Sequence, residues 1–559
     1  MKAVMQKILT LFKKREVFFP LCVFVLTLLL YLPQIFLREA VLRDVALRYA
    51  PMAECFAAGD FRYAFHPRVQ SLHPLISGCI CYLSGCSGFT GVQLSSLLFF
   101  GLCIFPLYNL LKTVFDRKIA EWGILLLPLA SQVAQISVSG LRESHKMFAL
   151  LLITLGIVTV FKEREKYSGY LLTGIGCGLS FCIRIDLVLP SLCILLAAGV
   201  MAFAAQKNLK RPLTGLLAAL PFFIWETVIN FYISGHAVPG SHCLRFMREF
   251  LPWAMTPAGM CLAVIFSVIC FAVFSAAGGC LLKTSVKEKI PAVIFITLAA
   301  VLLVGIAGLL LRVIGLSFPE KIKLLFSFAG SVFHGLNLPL LLTAAMGFYV
   351  LNKLKKTDEA QKFLLFIFLF FIGATLFQTI VLEDKLYVSK RYLLPYSLLL
   401  AGWSVHGIIF CREKIEAFTG HYSKILLKIL WIILPLICLC HAYSNILEYK
   451  FERDKKIQLQ TLKTISELIQ SRYSGPAYFT PEFSFYEYRR NRCPKIAFIR
   501  PGKAVSIAYS SGGSLVLPDG KPDFFVAPAG EKFSEKKWRK IAENLPSGKI
   551  KLNVWELKK

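Results

Sequence analysis

The feature that most constrains this chain is a series of long apolar segments separated by short basic loops. Runs of roughly 18 to 25 apolar residues are long enough to cross a hydrocarbon core of about 30 Å as helices. Of the 559 residues, 56% are hydrophobic and only 17% are charged. The pattern predicts an all-α polytopic membrane protein with about thirteen transmembrane helices.

Two regions of different composition are predicted, a membrane domain at 1–446 and a hydrophilic tail at 447–559. The predicted spans are 17–37, 89–114, 119–138, 147–161, 168–184, 187–206, 213–233, 254–282, 290–314, 337–352, 363–381, 392–411 and 425–442. Short apolar runs in the tail, separated by Gly and Pro, predict a small soluble α/β domain. Within it we expect a helix near residues 536–545 and a last strand at 551–557.

The formal charge of +30 has an explanation in membrane topology. Much of the Lys and Arg excess lies in alternate short loops, as the positive-inside rule requires, so no nucleic acid partner is expected. Basic residues before the first span predict a cytoplasmic N-terminus. The odd number of spans then places the tail outside the cell, so we expect a multi-pass inner (plasma) membrane protein with an extracytoplasmic C-terminal domain.

Basic residues in the outer loops are not explained by topology and need another reason. Those relevant here are Arg43, Arg142, Arg184, Lys385, Lys390 and Arg391. Nearby carboxylates at Glu143, Asp186 and Glu383 or Asp384 offer internal ion pairs. An anionic lipid phosphate would also require cations gathered at one face of the membrane. The sequence leaves both explanations open and they are compatible.

The first outer loop, residues 38–75, is the most unusual polar stretch. Asp44 stands at its start, ahead of an apolar helical stripe that stops at Gly59, so a helix-capping role is one interpretation of Asp44. His66 and His73 lie further along, and each has either a structural or a substrate-binding role. Glu226, inside a later apolar run, serves either helix packing or a site.

The chain contains several short motifs. The first loop has the form Asp-(x)4-Tyr-Ala-(x)8-Gly-Asp from Asp44 to Asp60, followed by His-Pro-Leu at 73–75. Arg142-Glu143 follows the third span, Asn-(x)4-Gly at 230–235 ends another, and Arg-Tyr-Leu-Leu-Pro at 391–395 opens a late span. Together these motifs resemble the superfamily of protein O-mannosyltransferases and aminoarabinose lipid A transferases, in its bacterial branch. Many members carry Asp-Glu where this chain has Asp44-Val45, so Glu143 is the candidate to replace the second carboxylate.

The resemblance implies a GT-C fold glycosyltransferase, a hexosyl- or pentosyltransferase that takes its sugar from a polyprenyl-phosphate donor. Asp44 would be the base of an inverting single displacement, and the implied acceptor is a hydroxyl of a glycolipid, glycan or protein. The donor phosphate would be bound by Arg142, Arg184, Lys385, Lys390, Arg391 and Tyr392. Arg43, Tyr49, His66 and His73 are further substrate-binding candidates.

No metal or other cofactor is expected to be required, although a divalent metal remains an open alternative. No ligand set in the sequence demands a metal, and no Gly-rich phosphate loop is present. The main competing interpretation is a transporter or flippase of lipid-linked saccharides, which predicts charges near the bilayer midplane. A non-catalytic membrane scaffold whose tail binds a partner is the third.

Overall fold

The structure is a computed structural model. It describes residues 15–37, 45, 49–59, 61–65, 69–163, 165–206, 210–234, 316–379, 388–419, 507–509, 524–528, 538–547 and 550–557, with isolated helical positions at 433, 436 and 440. The predicted spans at 254–282 and 290–314, and most of 425–442, lie outside these residues, as does the predicted boundary between the membrane domain and the tail.

The described part of the membrane domain is helical. Its α-helices are α1 (Arg15–Leu37), α2 (Ala50–Ala57), α3 (Phe61–Ala64), α4 (Leu72–Ser84), α5 (Gly88–Leu102), α6 (Ile104–Val114), α7 (Arg117–Leu129), α8 (Ser131–Ser137), α9 (Glu143–Lys162), α10 (Tyr167–Ile183), α11 (Ile185–Gln206), α12 (Lys210–Ser234), α13 (Phe318–Gly335), α14 (Leu338–Lys353), α15 (Glu359–Phe377), α16 (Lys390–Leu393) and α17 (Ala401–Thr419). A 3-10 segment, Leu394–Leu400, joins the last two.

Capping side chains fix where several of these helices begin. The Ser87 hydroxyl accepts a hydrogen bond from the Thr90 backbone N–H at 3.3 Å. The Asp116 carboxylate accepts from the Ile119 N–H at 2.8 Å. Such bonds satisfy donors that a helix start leaves unpaired, so α5 and α7 begin at the ends of their loops and not within the apolar runs.

Six segments in the described ranges are long and apolar enough to cross a membrane, or seven if the bent pair α13 and α14 is one span. This confirms an all-α polytopic membrane protein. The predicted span 89–114 is interrupted at Cys103 and the predicted span 119–138 at Ala130. Helix α13 was not predicted as a separate element; it meets α14 at a bend of 79°.

Small residues let some helices approach to backbone contact. A Cβ added at Gly347 in α14 would lie 1.9 Å from the Trp403 carbonyl oxygen of α17, and one at Gly407 would lie 1.9 Å from the Thr343 carbonyl oxygen. Such close crossings are typical of membrane helices, whose association depends on van der Waals packing. The crossing fixes the late span, which continues from the Arg-Tyr-Leu-Leu-Pro motif, against the bundle.

The described part of the tail is a four-stranded sheet in the order β1-β2-β4-β3. Its strands are β1 (Ile507–Tyr509), β2 (Phe524–Pro528), β3 (Trp538–Ser547) and β4 (Ile550–Leu557). Strands β1 and β2 are parallel, and β4 is antiparallel to both its neighbours. The small C-terminal sheet is confirmed, but the helix predicted near 536–545 is wrong.

The reason for that error lies in tertiary pairing. Helix-forming Lys, Arg, Ala and Glu residues dominate 536–545, yet local propensity is a weak prior that pairing overrides. The segment instead pairs with β4 across the short 548–549 connection, with Lys540 opposite Trp555. The predicted strand at 551–557 agrees with β4.

Candidate active site

A buried carboxylate at the start of α9 holds two arginines from distant parts of the chain. Arg184 Nη1 donates to Glu143 Oε1 at 3.1 Å, and Arg391 Nε lies 3.7 Å from the same oxygen. The side chain of Glu143 is 2% exposed, against 13% for Arg184 and 30% for Arg391. The carboxylate is therefore desolvated, while the guanidinium groups extend toward solvent.

The second oxygen of this carboxylate, Glu143 Oε2, is buried and has no hydrogen-bond partner in the part of the chain that the structure describes. A buried ionised oxygen without a partner is costly, since it loses its hydration and gains nothing in return. Glu143 therefore has one oxygen occupied by arginines and one available to a hydroxyl or other donor.

Arg142 lies beside this cluster but has different partners. Its Nε donates to the Tyr49 hydroxyl at 3.1 Å, and its Nη1 donates to Gln70 Oε1 at 2.6 Å and to the Ile183 carbonyl oxygen at 3.0 Å. Its guanidinium carbon is 5.3 Å from the centroid of the Tyr49 ring. These contacts tie the first outer loop to the ends of α9 and α10.

The turn before α9 presents Arg142 and Glu143 together. Gly140 has a φ of 81°, and a Cβ there would lie 2.9 Å from Val92 and 3.1 Å from Val45. The Ser96 hydroxyl donates to the Leu141 carbonyl oxygen at 2.7 Å. A left-handed turn packed this tightly favours glycine and fixes the direction of the two residues that follow.

His73 supports the same turn from α4. Its Nε2 lies 3.1 Å from the Gly140 carbonyl oxygen, which fixes this nitrogen as the protonated one. The ring makes edge contacts with Tyr49, at 5.0 Å between centroids, and with His145, at 4.7 Å. His145 in turn stacks on Phe99 and lies 3.0 Å from the Ser95 hydroxyl. His73 is thus a fully buried structural neighbour of the site.

One cation of this site was not singled out in the sequence. Lys146 is fully buried one helical turn after Glu143, and its Nζ donates to the Tyr392 carbonyl oxygen at 3.2 Å. The Nζ is also 5.0 Å from the centroid of the Tyr396 ring. The signal that could have found it is the spacing of Glu143 and Lys146, which puts both on one face of a membrane helix.

The Arg391 segment is held against the bundle from several sides. The Val388 carbonyl oxygen accepts from Ser331 Oγ at 2.5 Å and from Ser327 Oγ at 3.2 Å, both on α13. The guanidinium carbon of Arg184 lies 5.1 Å from the centroid of the Tyr392 ring. Tyr392 therefore contacts a predicted phosphate-binding cation, whereas Lys390 beside it is exposed and makes no contact that joins it to the Glu143 cluster in the described ranges.

Four predicted site residues, Asp44, Arg43, His66 and Lys385, lie outside the described residues. Val45, which follows Asp44, is fully buried in a cluster with Tyr49, Val92 and Leu141. The predicted helix after it is α2, and Gly59 ends it with a φ of 79°. The apolar stripe of this segment packs against the protein, since Met52 and Ala53 are buried in the same cluster.

Glu226 on α12 is linked to the site by hydrogen bonds from Ser71, the residue before α4. Its Oε2 accepts from the Ser71 backbone N–H at 3.1 Å and from the Ser71 hydroxyl at 2.5 Å. Asn230 Nδ2 donates to its other oxygen at 3.2 Å. Glu226 and the motif residue Asn230 thus share one hydrogen-bonded network.

The arrangement can bind a dianion. Guanidinium groups from three separate elements, at Arg142, Arg184 and Arg391, gather where α9, α10 and α16 begin or end, and one carboxylate orients two of them. Arginine forks of this kind match phosphate geometry. In the described ranges, no three His, Cys, Asp or Glu side chains are grouped so as to hold a metal ion.

Comparison with known proteins gives one family and several structures. Residues 71–230 match the family model of dolichyl-phosphate-mannose-protein mannosyltransferases, a stretch that contains Arg142, Glu143 and Arg184. The match confirms the family resemblance predicted from the sequence. A search of the curated proteins found no match.

Two solved structures resemble the chain at low identity. The Archaeoglobus fulgidus oligosaccharyltransferase AglB, in complex with an inhibitory peptide and a dolichol-phosphate, is 13% identical with a TM-score of 0.48 and covers 89% of this chain. ArnT of Cupriavidus metallidurans, bound to undecaprenyl phosphate, is 15% identical with a TM-score of 0.32, covering 69% of this chain and 77% of its own. This chain spans 63% of the length of the archaeal enzyme.

Proposed function

We propose that this chain, whose residues 71–230 match the family model of dolichyl-phosphate-mannose-protein mannosyltransferases, is a membrane glycosyltransferase that uses a polyprenyl-phosphate sugar. It transfers the sugar to a hydroxyl of a lipid, glycan or protein acceptor on the outer face of the plasma membrane. The observation that carries the proposal is the pairing of Glu143 with Arg184 and Arg391. This pairing brings Arg184 and Arg391, the cations proposed to bind the donor phosphate, to one place beside the first outer loop.

The reaction we propose is a single displacement with inversion. The acceptor oxygen forms a bond to C1 of the sugar as the bond from C1 to the phosphate oxygen breaks, and the electron pair stays on the departing polyprenyl phosphate. Asp44 takes the proton of the acceptor hydroxyl. Its neighbour Val45 packs against the turn that carries Arg142, which supports a place for the first loop at this site.

The cations have a different role from the base. Negative charge grows on the phosphate as it leaves, and Arg142, Arg184 and Arg391 stabilise that charge. Glu143 holds two of them in place before substrate arrives, so their orientation costs little during the reaction. Its Oε2, which has no hydrogen-bond partner among the described residues, accepts a hydrogen bond from a substrate hydroxyl.

This charge distribution and the family match over residues 71–230 support the proposed donor class. An activated sugar on a lipid phosphate needs a cationic site at the membrane boundary and no nucleotide pocket. A transporter of lipid-linked saccharides is the competing function. It predicts charges spread near the midplane, whereas the cations here collect at helix ends.

The test is sugar transfer from a radiolabelled mixture of polyprenyl-phosphate sugars in membranes that contain the protein. Wild type is compared with Asp44→Asn and Arg184→Gln at matched expression, with Arg412→Gln as control because Arg412 forms an exposed pair with Glu416. We expect both site variants to lose transfer by orders of magnitude and the control to keep it. Transfer undiminished in Asp44→Asn removes Asp44 as base, and no transfer by wild type from any donor favours the transporter.

A further inference from the structure

We infer that Glu226 is a positioning residue for Arg142 and acts through the two residues that precede α4, Gln70 and Ser71. The inference rests on the proposed function, because it assigns Arg142 an anionic lipid phosphate as ligand. It gives an intramembrane carboxylate on α12 a role in substrate binding that lies beyond helix packing.

The first step is the attachment of Ser71 to α12. Glu226 is almost fully buried and takes two hydrogen bonds from Ser71, one from its backbone N–H and one from its hydroxyl. The indole N–H of Trp225 donates to the same hydroxyl oxygen at 2.8 Å. The Ser71 hydroxyl therefore donates to Glu226 and accepts from Trp225, the residue before it on α12, which fixes the orientation of the hydroxyl.

The second step is the link from Ser71 to the arginine. Gln70, its neighbour in sequence, is buried, and its Oε1 accepts the 2.6 Å hydrogen bond from Arg142 Nη1. Holding Ser71 in place therefore holds the acceptor that orients the guanidinium group.

The third step concerns the donors that remain. Arginine has five N–H donors. Three donors of Arg142 are in use: Nε donates to Tyr49, and the two hydrogens of Nη1 go to Gln70 and to the Ile183 carbonyl oxygen. No described residue accepts a hydrogen bond from Nη2, so its two N–H donors are available to phosphate oxygens.

A purely structural role for Glu226 predicts a different dependence of phosphate binding on Arg142. If the carboxylate only joins α12 to α4, its loss lowers stability and affects phosphate binding whether or not Arg142 is present. If it acts through Arg142, its loss has little effect once Arg142 is gone. A double-mutant cycle separates the two.

The experiment measures binding of undecaprenyl phosphate to the purified full chain in lipid nanodiscs. The cycle consists of wild type, Glu226→Gln, Arg142→Gln and the double variant. We expect Glu226→Gln to weaken binding by about 3- to 100-fold in the wild-type background, the range of coupling seen for residues in one network. In the Arg142→Gln background we expect the same change to weaken binding by less than about twofold. Thr154→Val is the control, since it removes a buried hydroxyl that bonds only within its own helix.

The outcomes are distinct. Equal losses in both backgrounds, or unchanged binding in Glu226→Gln, overturn the inference, as does a wild type that does not bind undecaprenyl phosphate. If Glu226→Gln does not fold, Ser71→Ala replaces it in the cycle. Sugar transfer is measured on the same samples to test the proposed function separately. If the binding losses are coupled but wild type transfers no sugar, Glu226 is the positioning residue of a phosphate site that does not catalyse transfer.

Discussion

Glu143 and Arg184 are 41 positions apart in the sequence, yet the arginine donates to the carboxylate at 3.1 Å in a setting where the carboxylate is 2% exposed. Among the local pairs that the sequence offered, the structure describes only the candidate pair of Arg142 with Glu143. It pairs Glu143 with Arg184 and Arg391, while Arg142 donates to Tyr49 and Gln70. The Glu143 pairing joins the start of α9 to the end of α10 and to α16.

Glu143→Gln should therefore be costly in both stability and activity. Removing the charge leaves two guanidinium groups close together without their common partner, and breaking a buried pair by removing one member costs about 3–5 kcal/mol. Thermal unfolding in detergent and sugar transfer are the two measurements. Glu416→Gln is the control, because its exposed pair with Arg412 is worth about 0–1 kcal/mol. Equal effects of the two changes would contradict the assignment.

Lys146→Met should separate stability from activity. Replacing a buried cation by an apolar side chain of similar length removes the cost of keeping a charge out of water, so we expect no large loss of stability. The bond from Nζ to the Tyr392 carbonyl is lost, so the segment that carries Arg391 is less firmly held. We expect transfer to fall at least about tenfold, equivalent to about 1.4 kcal/mol, while the unfolding temperature is kept. Full transfer by a stable Lys146→Met protein would show that Lys146 serves packing alone.

Gly140→Ala tests the turn that presents Arg142 and Glu143. A side chain at a φ of 81° is strained, and its Cβ would also press on Val92 and Val45. We expect a loss of about 1–3 kcal/mol in unfolding free energy, together with reduced transfer. Gly59→Ala is the matched control, since Gly59 has a φ of 79° but no atom within 4 Å of an added Cβ. If the two variants behave alike, the close packing of the turn contributes nothing.

Gly347→Ala tests the crossing of α14 and α17. The added Cβ would lie 1.9 Å from the Trp403 carbonyl oxygen, so the two helices must separate. We expect destabilisation of about 1–3 kcal/mol by overpacking, measured by thermal unfolding in nanodiscs. Gly330→Ala in α13 meets no atom within 4 Å and should be neutral or slightly stabilising. An unchanged unfolding temperature in Gly347→Ala would contradict the close crossing.

The sequence by itself determined the class of protein. Apolar run length alone predicts membrane helices, because the bilayer imposes a minimum length and demands internal hydrogen bonding. The cost of a charge near the membrane singled out Arg142, Arg184 and Arg391, and the short motifs added Glu143 and Tyr392, which the structure places beside these arginines. The short motifs gave the family that residues 71–230 match.

Only the tertiary structure decided which charged side chains pair with each other. Partner choice in a helical bundle depends on which helix ends are adjacent, and sequence spacing says nothing about adjacency between distant helices. For the same reason the strand at Trp538–Ser547 was predicted as a helix, and Lys146 was overlooked until its partner, 246 positions away, was known. Local chemistry sets what a side chain requires, and long-range packing decides which neighbour supplies it.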